Sequence, residues 1–228
     1  MTGNLDFLSI SLPDQKNYDE AYGLAFKLAA EKLVGFEDLE KQCRNSDSTY
    51  QTAGASRKII LNYLNRSYQV SLPDVTISLP DQDAKVELKD QILILHYLTT
   101  ARGSPLSGRL ISYQELETGA TYYPTFVKRA IKPLVDYFGQ CPEKLLSSSA
   151  DIGGYRVRHG DLGVTIPAFS RVPVTLVIWQ GDAEFPPDAN ILFDSTILDY
   201  LSAEDINVLC QTIVWHLVKK LQPFSEKT

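Results

Sequence analysis

The sequence predicts a single α+β domain in which a largely antiparallel sheet packs against helices. Three observations predict it. Apolar residues recur every three or four positions in several long stretches. The period falls to two, or runs continuously, over 57–79 and 154–179. Strands come in groups with helices between and after them, which favours antiparallel pairing over strand–helix alternation around a parallel sheet.

Residues 1–16 read as a loose lead-in, and the domain is expected over 17–228. Asn17 starts a helix, with Glu20 three residues on in the manner of a capping box. Its apolar stripe is Ala21, Leu24, Ala25, Leu28, Ala29 and Leu33, and Gly35 ends it. A second short helix, 36–44, carries Leu39 and Cys43. KIILNYL and SYQVSL, joined by Asn65-Arg66, read as a β-hairpin, and VTISL (75–79) as a further strand. The tetrapeptide SLPD occurs at 11–14, 71–74 and 78–81. Pro-Asp is turn chemistry, so strands ending in similar bends explain it without a structural repeat.

Residues 86–101, VELKDQILILHYLTTA, are apolar on more than one face and predict a central helix buried on most sides. Gly103, Pro105 and Gly108 break it; LISY (110–113) reads as a short strand and YQEL as a turn or short helix. The helix over 122–138 places Pro124 in its first turn, where proline is tolerated. Pro133 lacks an N–H and clashes with the carbonyl of Arg129, so a kink or break is expected there. A short helix follows at 142–148. GYRVRH, LGVTIPAF and VPVTLVIW are three strands, the last buried on both faces, with Gly160-Asp161 turning between the first two. Ser202 caps the final helix, with Glu204 and Asp205 in its first turn and Lys219 and Lys220 near its end.

Composition narrows the function classes. Lys plus Arg is 22 against 28 Asp plus Glu, a formal charge of −6, which argues against nucleic acid as partner. Cys43, Cys141 and Cys210 are far apart and lack CxxC spacing, which fits reduced thiols and gives no basis for a four-cysteine zinc or iron–sulfur site. The first fifteen residues lack the pattern of a signal peptide, and no run approaches the ~18 apolar residues of a membrane span, so a cytoplasmic protein without a membrane partner is expected. Phosphate-binding, dinucleotide, nucleophile-elbow and HExxH motifs are absent, and no metal site or particular cofactor is indicated.

The candidate site residues are therefore individual side chains. Of the three histidines, His96 stands out, because an imidazole in a buried helix needs hydrogen-bond partners; His159 and His216 read as structural. Arg102 and Arg109 flank the Gly-Pro-Gly segment and suit an anion. Tyr122 and Tyr123 either cover the core or line a pocket. In VIWQGDAEFPPDANILFD (177–194), Trp179 ends a strand and Gly181 turns the chain; Asp182, Glu184, Asp188 and Asp194 lie on or beside a bend stiffened by two prolines. Capping of turns, a hard cation and an acid–base pair are the readings of these carboxylates, with capping preferred.

Three phrases, LKDQILILHYLTTARGSPLSGRLISYQEL (88–116), ATYYPTFVKRAIKPL (120–134) and RVPVTLVIWQGDAEFPPDANILFDSTILDYL (171–201), resemble the bacterial family named domain of unknown function 3786. The resemblance runs from about Tyr18 to the final helix and implies a bacterial, often anaerobic, cytoplasmic origin. Some relatives carry a cysteine-rich iron–sulfur segment or sit among proteins of corrinoid or one-carbon metabolism; the three scattered cysteines here form no such motif. No catalytic residue transfers from the family.

Three functional expectations follow. The first is a non-catalytic protein that binds a small ligand or cofactor, or acts as an accessory to a partner protein, through a cleft between 96–109 and 179–194. The second is an enzyme in which Asp182 and Glu184 are acid and base and Arg102 orients an anionic substrate. The third is a structural subunit of a complex.

Overall fold

A computed structural model describes residues 15–54, 56–80 and 84–221. Most of the lead-in expected over 1–16, including the first SLPD, lies outside them. Helix α1 (Gln15–Val34) begins two residues ahead of the expected Asn17. Helix α3 (Leu88–Thr100) follows the sequence reading closely, whereas α2 (Leu39–Asn45) starts three residues later than expected, with Asp38 accepting the Lys41 N–H at 2.8 Å to cap it. In α3 the side chains of Ile92 to Leu95 and Tyr97 to Thr99 are buried, so the helix is covered on most of its circumference as its composition predicts. Among the described residues no helix is long and apolar enough to cross a membrane.

The sheet has two meanders. The first contains β1 (Thr49–Ala53), β2 (Ser56–Tyr63), β3 (Arg66–Leu72) and β4 (Thr76–Ser78). The second contains β6 (Tyr155–Val157), β7 (Leu162–Phe169), β8 (Val172–Trp179) and β9 (Asp188–Asp194), with β5 (Leu110–Ser112) added at its edge. The strand order is β4-β3-β2-β7-β8-β9-β5, with β1 also on β2 and β6 also on β7, and every pairing is antiparallel. A single pair, Tyr63↔Phe169, joins the halves. Both alternating sets of β8 side chains are almost wholly buried, and the one polar pair in the centre, Thr165 and Thr175, is satisfied by a 2.8 Å hydroxyl–hydroxyl bond across the strands. β1 and β9 are additions to the strands expected from sequence.

Several local expectations are corrected. The hairpin turn is Leu64-Asn65, one residue earlier than expected, with φ of 47° and 61°. Two left-handed residues make a type I′ turn, and a leucine accepts this conformation because its side chain is buried and its N–H donates to the Ala168 carbonyl at 2.9 Å. In α1, Leu24 and Leu28 are exposed; Ala29 and Leu33 face the core, with Phe26 and Ala30 packed against it. The SLPD at 71–74 does end β3 and lead through a bend into β4, as turn chemistry predicts.

The region 119–138 departs most from the sequence reading. Helix α4 (Gly119–Phe126) starts three residues earlier than expected, which puts Pro124 inside it. A π-helical turn (Val127–Ile131) and helix α5 (Lys132–Phe138) follow. The widened turn is the physical form taken by the disruption expected at Pro133. The Lys132 N–H reaches back to the Val127 carbonyl, five residues away, so the chain is unwound where the proline ring would meet the preceding turn. Helix α6 (Glu143–Ser149) then leads to β6, and α7 (Ala203–Leu221) closes the described chain.

Gly119 has no room for a side chain: a Cβ there would lie 1.8 Å from the Tyr113 carbonyl oxygen. Tyr113 cannot retreat, since its ring stacks on Phe126 at 4.0 Å and its hydroxyl donates to the Ala203 carbonyl at 2.9 Å. Gly119→Ala is expected to cost roughly 2 kcal/mol or more and lower Tm by about 4–8 °C in calorimetry. A Tm within a degree of the parent would show that the 113–119 turn yields freely.

Candidate functional site

The acidic proline bend is a self-capped loop. Trp179 pairs with Asp188 at its base. The Asp182 carboxylate accepts the N–H groups of Glu184 and Phe185, both at 2.8 Å, and these bonds hold it below the ordinary carboxylate range. Pro187 is wedged between Gly181 and Gly139, each of which would place a Cβ within 2.7 Å of it. Trp179, Asp182 and Glu184 are exposed. Capping, the preferred sequence reading, describes one oxygen of Asp182, and both Asp182 and Glu184 are exposed.

Asp194 does other work. Its buried carboxylate receives Ser107 N–H (3.1 Å) and Oγ (2.9 Å), Gly108 N–H (2.8 Å), and Thr196 N–H (3.0 Å) and Oγ1 (2.8 Å). Burial pushes its pKa up, but these donors outweigh burial and bring it down to about 2. Asp199 holds the start of the same loop through Ser104 Oγ at 2.6 Å and Arg102 at 3.2 Å, and the Tyr200 hydroxyl donates to the Ser104 carbonyl. Arg109 is exposed, and its backbone carbonyl accepts from Ser195 N–H at 2.9 Å. The Gly-Pro-Gly segment thus meets the far end of β9, whereas the bend precedes its first residue. Seven extended residues separate the two ends by about 20 Å. The cleft expected between 96–109 and 179–194 is therefore not formed: Asp194 joins the loop, and Asp182 and Glu184 stand apart from it.

A cleft of about 540 Å³ does exist, among α1, α3, α4 and α7. Helical spacing builds its walls. Lys89, Ile92 or Leu93, and His96 lie one turn apart on α3. Tyr122, Thr125 and Arg129 do the same along α4 and the π turn, and Glu204, Asn207 and Val208 on α7. Ala21, Tyr22 and Ala25 of α1 form the remaining side. Ala21, Ala25, Ile92, Leu93 and Val208 give the cleft apolar surface, and the rest of its lining is polar or ionisable.

The central contact is His96 Nδ1 to Asp205 Oδ1 at 2.7 Å. Ser202 orients the carboxylate: its Oγ donates to Asp205 Oδ2 at 2.7 Å and accepts the Asp205 N–H at 3.1 Å, so the N-cap of α7 and the histidine partner are one unit. Burial pushes the Asp205 carboxyl up, but the bond and charge of His96 and the Ser202 donors overcome it, leaving the group below its ordinary value. Nε2 of His96 has no hydrogen-bond partner among the described residues. Asn207, 6% exposed, has a buried Oδ1 that also lacks a partner among them. Such an acceptor is costly to leave bare.

Of the nine side chains singled out from sequence, His96 and Tyr122 share this cleft. Tyr123 turns away toward the core and packs near Phe126. Arg102, Arg109 and Asp194 belong to the Gly-Pro-Gly loop; Trp179, Asp182 and Glu184 belong to the bend. Lys89, Arg129, Asp205 and Asn207 were missed. Asn207 left a legible signal, as a polar residue within the apolar stripe of α7, beside Ile206 and one turn before Cys210. Asp205 left none beyond its place in the first turn, because its partner lies 109 residues away.

Fold and cleft together define an antiparallel α+β domain with a helix-walled pocket containing an oriented His–Asp pair. The chain belongs to the family described as domain of unknown function (DUF3786), which it matches over residues 38–215. That span contains α2 through most of α7 and every polar cleft residue named above except Tyr22. No curated protein and no solved structure matches the chain.

The depressed pKa of Asp194 makes a pH-dependent prediction. A carboxyl at about 2 in the folded protein against an ordinary 3.8 stabilises the fold by roughly 2 kcal/mol above the ordinary value, and that contribution is lost as pH falls toward 2. Asp194→Asn should therefore unfold more easily in urea at pH 7 by about that amount, with the gap to the parent narrowing below about pH 4. A gap independent of pH would mean that lost shape, and not the charged acceptor, weakens the variant.

Proposed function

We propose that the protein binds a small organic acid in the cleft between α1, α3, α4 and α7. The observation that supports this reading most strongly is the unpartnered Oδ1 of Asn207, buried in the wall of a cleft that also holds the His96–Asp205 pair. A buried acceptor of this kind is satisfied by a ligand hydroxyl or amine. Arg129 and Lys89, neither ion-paired among the described residues, supply the cationic side for a carboxylate or phosphate. Apolar contact with Ile92, Leu93 and Val208 holds the carbon skeleton. The π turn that carries Arg129 adds support, since such distortions occur frequently at functional sites.

This reading keeps the expected small-ligand role and moves it to a different cleft. It also replaces Arg102 and Arg109, committed to or beside the Gly-Pro-Gly loop, with Arg129. Malate and succinate test it, because they differ in the one hydroxyl that Asn207 would accept. Malate should raise Tm and bind at least tenfold more tightly than succinate in calorimetric titration. Arg129→Ala should weaken both by about tenfold, and Asn207→Leu should remove the preference for malate. No stabilisation by either acid at millimolar concentration, or unchanged affinity in Arg129→Ala, would refute it.

A further inference from the structure

We infer that His96 is a general base acting on water, and that the cleft hydrolyses an ester of a small carboxylic acid. The inference rests on the acid-binding reading of the same cleft and goes beyond it to chemistry.

Three observations carry it. First, the Asp205 carboxylate accepts from Nδ1 at 2.7 Å, which fixes the proton of the neutral ring on that nitrogen and leaves a lone pair on Nε2. Second, the orienting carboxylate is itself immobilised: Ser202 donates to it through both Oγ and N–H, at 2.7 and 3.3 Å, at the start of the nineteen-residue α7. Third, the imidazole rides on α3, whose neighbouring positions are buried, yet about a third of its side chain is accessible in the cleft wall. A histidine serving only to tie α3 to α7 needs Nδ1 alone; the accessible Nε2, without a partner among the described residues, is what a proton acceptor requires.

The step balances with water as the only co-reactant. A water O–H proton passes to Nε2 while the water oxygen bonds to the acyl carbon of the ester. The carbonyl π electrons move to oxygen. When they return, the bond from carbon to the alkoxy oxygen breaks, and the leaving alkoxide takes the proton from the imidazolium. An acid and an alcohol result, and His96 is neutral again. Asp205 is a positioning residue that holds the tautomer and stabilises the imidazolium. Arg129 and Lys89 hold the free carboxylate at the far end of the substrate. The ionisable groups that share the cleft with His96 are Tyr22 of α1, Lys89 of α3, Tyr122 of α4, Arg129 of the π turn, and Glu204 and Asp205 of α7.

The mono-p-nitrophenyl ester of succinate is the probe, with release of p-nitrophenolate followed across pH. His96→Asn is the informative variant: its amide N–H can occupy the place of Nδ1 and keep the bond to Asp205, while no base remains. The parent protein should hydrolyse the ester above the buffer rate. His96→Asn should fall roughly 100-fold, with Tm close to the parent. Asp205→Asn, which favours the wrong tautomer, should fall at least roughly tenfold. Hydrolysis by His96→Asn at the parental rate overturns the inference. So does an absence of turnover in a protein that malate or succinate still stabilises, and in that case acid binding stands. If neither acid binds and the ester is not hydrolysed, both readings fall.

Discussion

The two halves of the sheet meet at one backbone pair, Tyr63 and Phe169, and the stack of rings built on that pair organises the molecule. Phe169 lies between Tyr63 at 4.7 Å and Tyr97 at 4.2 Å, and Tyr97 continues to Tyr200 at 5.9 Å. Each such contact adds about 0.5–1.5 kcal/mol to the burial of the rings. The stack sets more than stability. Tyr97 is on α3, so its position on Phe169 fixes the rotation of that helix over the sheet. Gln42 then binds the carbonyls of Leu98 and Ala101 at 2.6 and 3.0 Å and secures its C-terminal end. With Tyr97 facing the sheet junction, His96, one residue back and about 100° around the helix, is turned toward α7. The same ring stack that closes the sheet aims the histidine.

The acidic groups divide according to the nature of their donors. Asp182 is held through one oxygen by two backbone N–H groups, and Asp194 through both oxygens by backbone N–H groups and hydroxyls, none of which titrates in the ordinary range. Asp182 fixes a bend, and Asp194 fixes a loop against the end of a strand. Asp205 gives one oxygen to its own helix cap and the other to an imidazole. In this last arrangement, as where Asp151 meets His216 Nε2 at 3.1 Å, a carboxylate holds a second ionisable group. The proposed chemistry therefore lies at the N-cap of α7, away from the most acidic stretch of the chain.

Much of the fold was legible, for particular reasons. VPVTLVIW coincides with β8, and LGVTIPAF with β7, because an unbroken β-branched run bounded by turn residues has few other solutions. The apolar surplus of 88–100 marked a helix covered on most sides. Elements were lost where local signals are weak or conflict. β9 was hidden by its polar neighbours and β1 by its polar composition, TYQTA; both are strands because an adjacent strand offers them hydrogen bonds. The turn at Leu64-Asn65 was misplaced by a residue, since propensity disfavours a left-handed leucine and only the register of β2 on β3 demands it.

By itself the sequence determined the class of fold, the central helix and the disturbed turn ahead of Pro133. These depend on periodicity and on proline geometry, both of which act over a few residues. Tertiary structure alone decided which carboxylate would meet His96, and which arginine would stand beside it. A hydrogen bond between residues 109 positions apart is set by the relative rotation of two helices packed on a common sheet, and that rotation is the summed result of core contacts which no short stretch of chain contains.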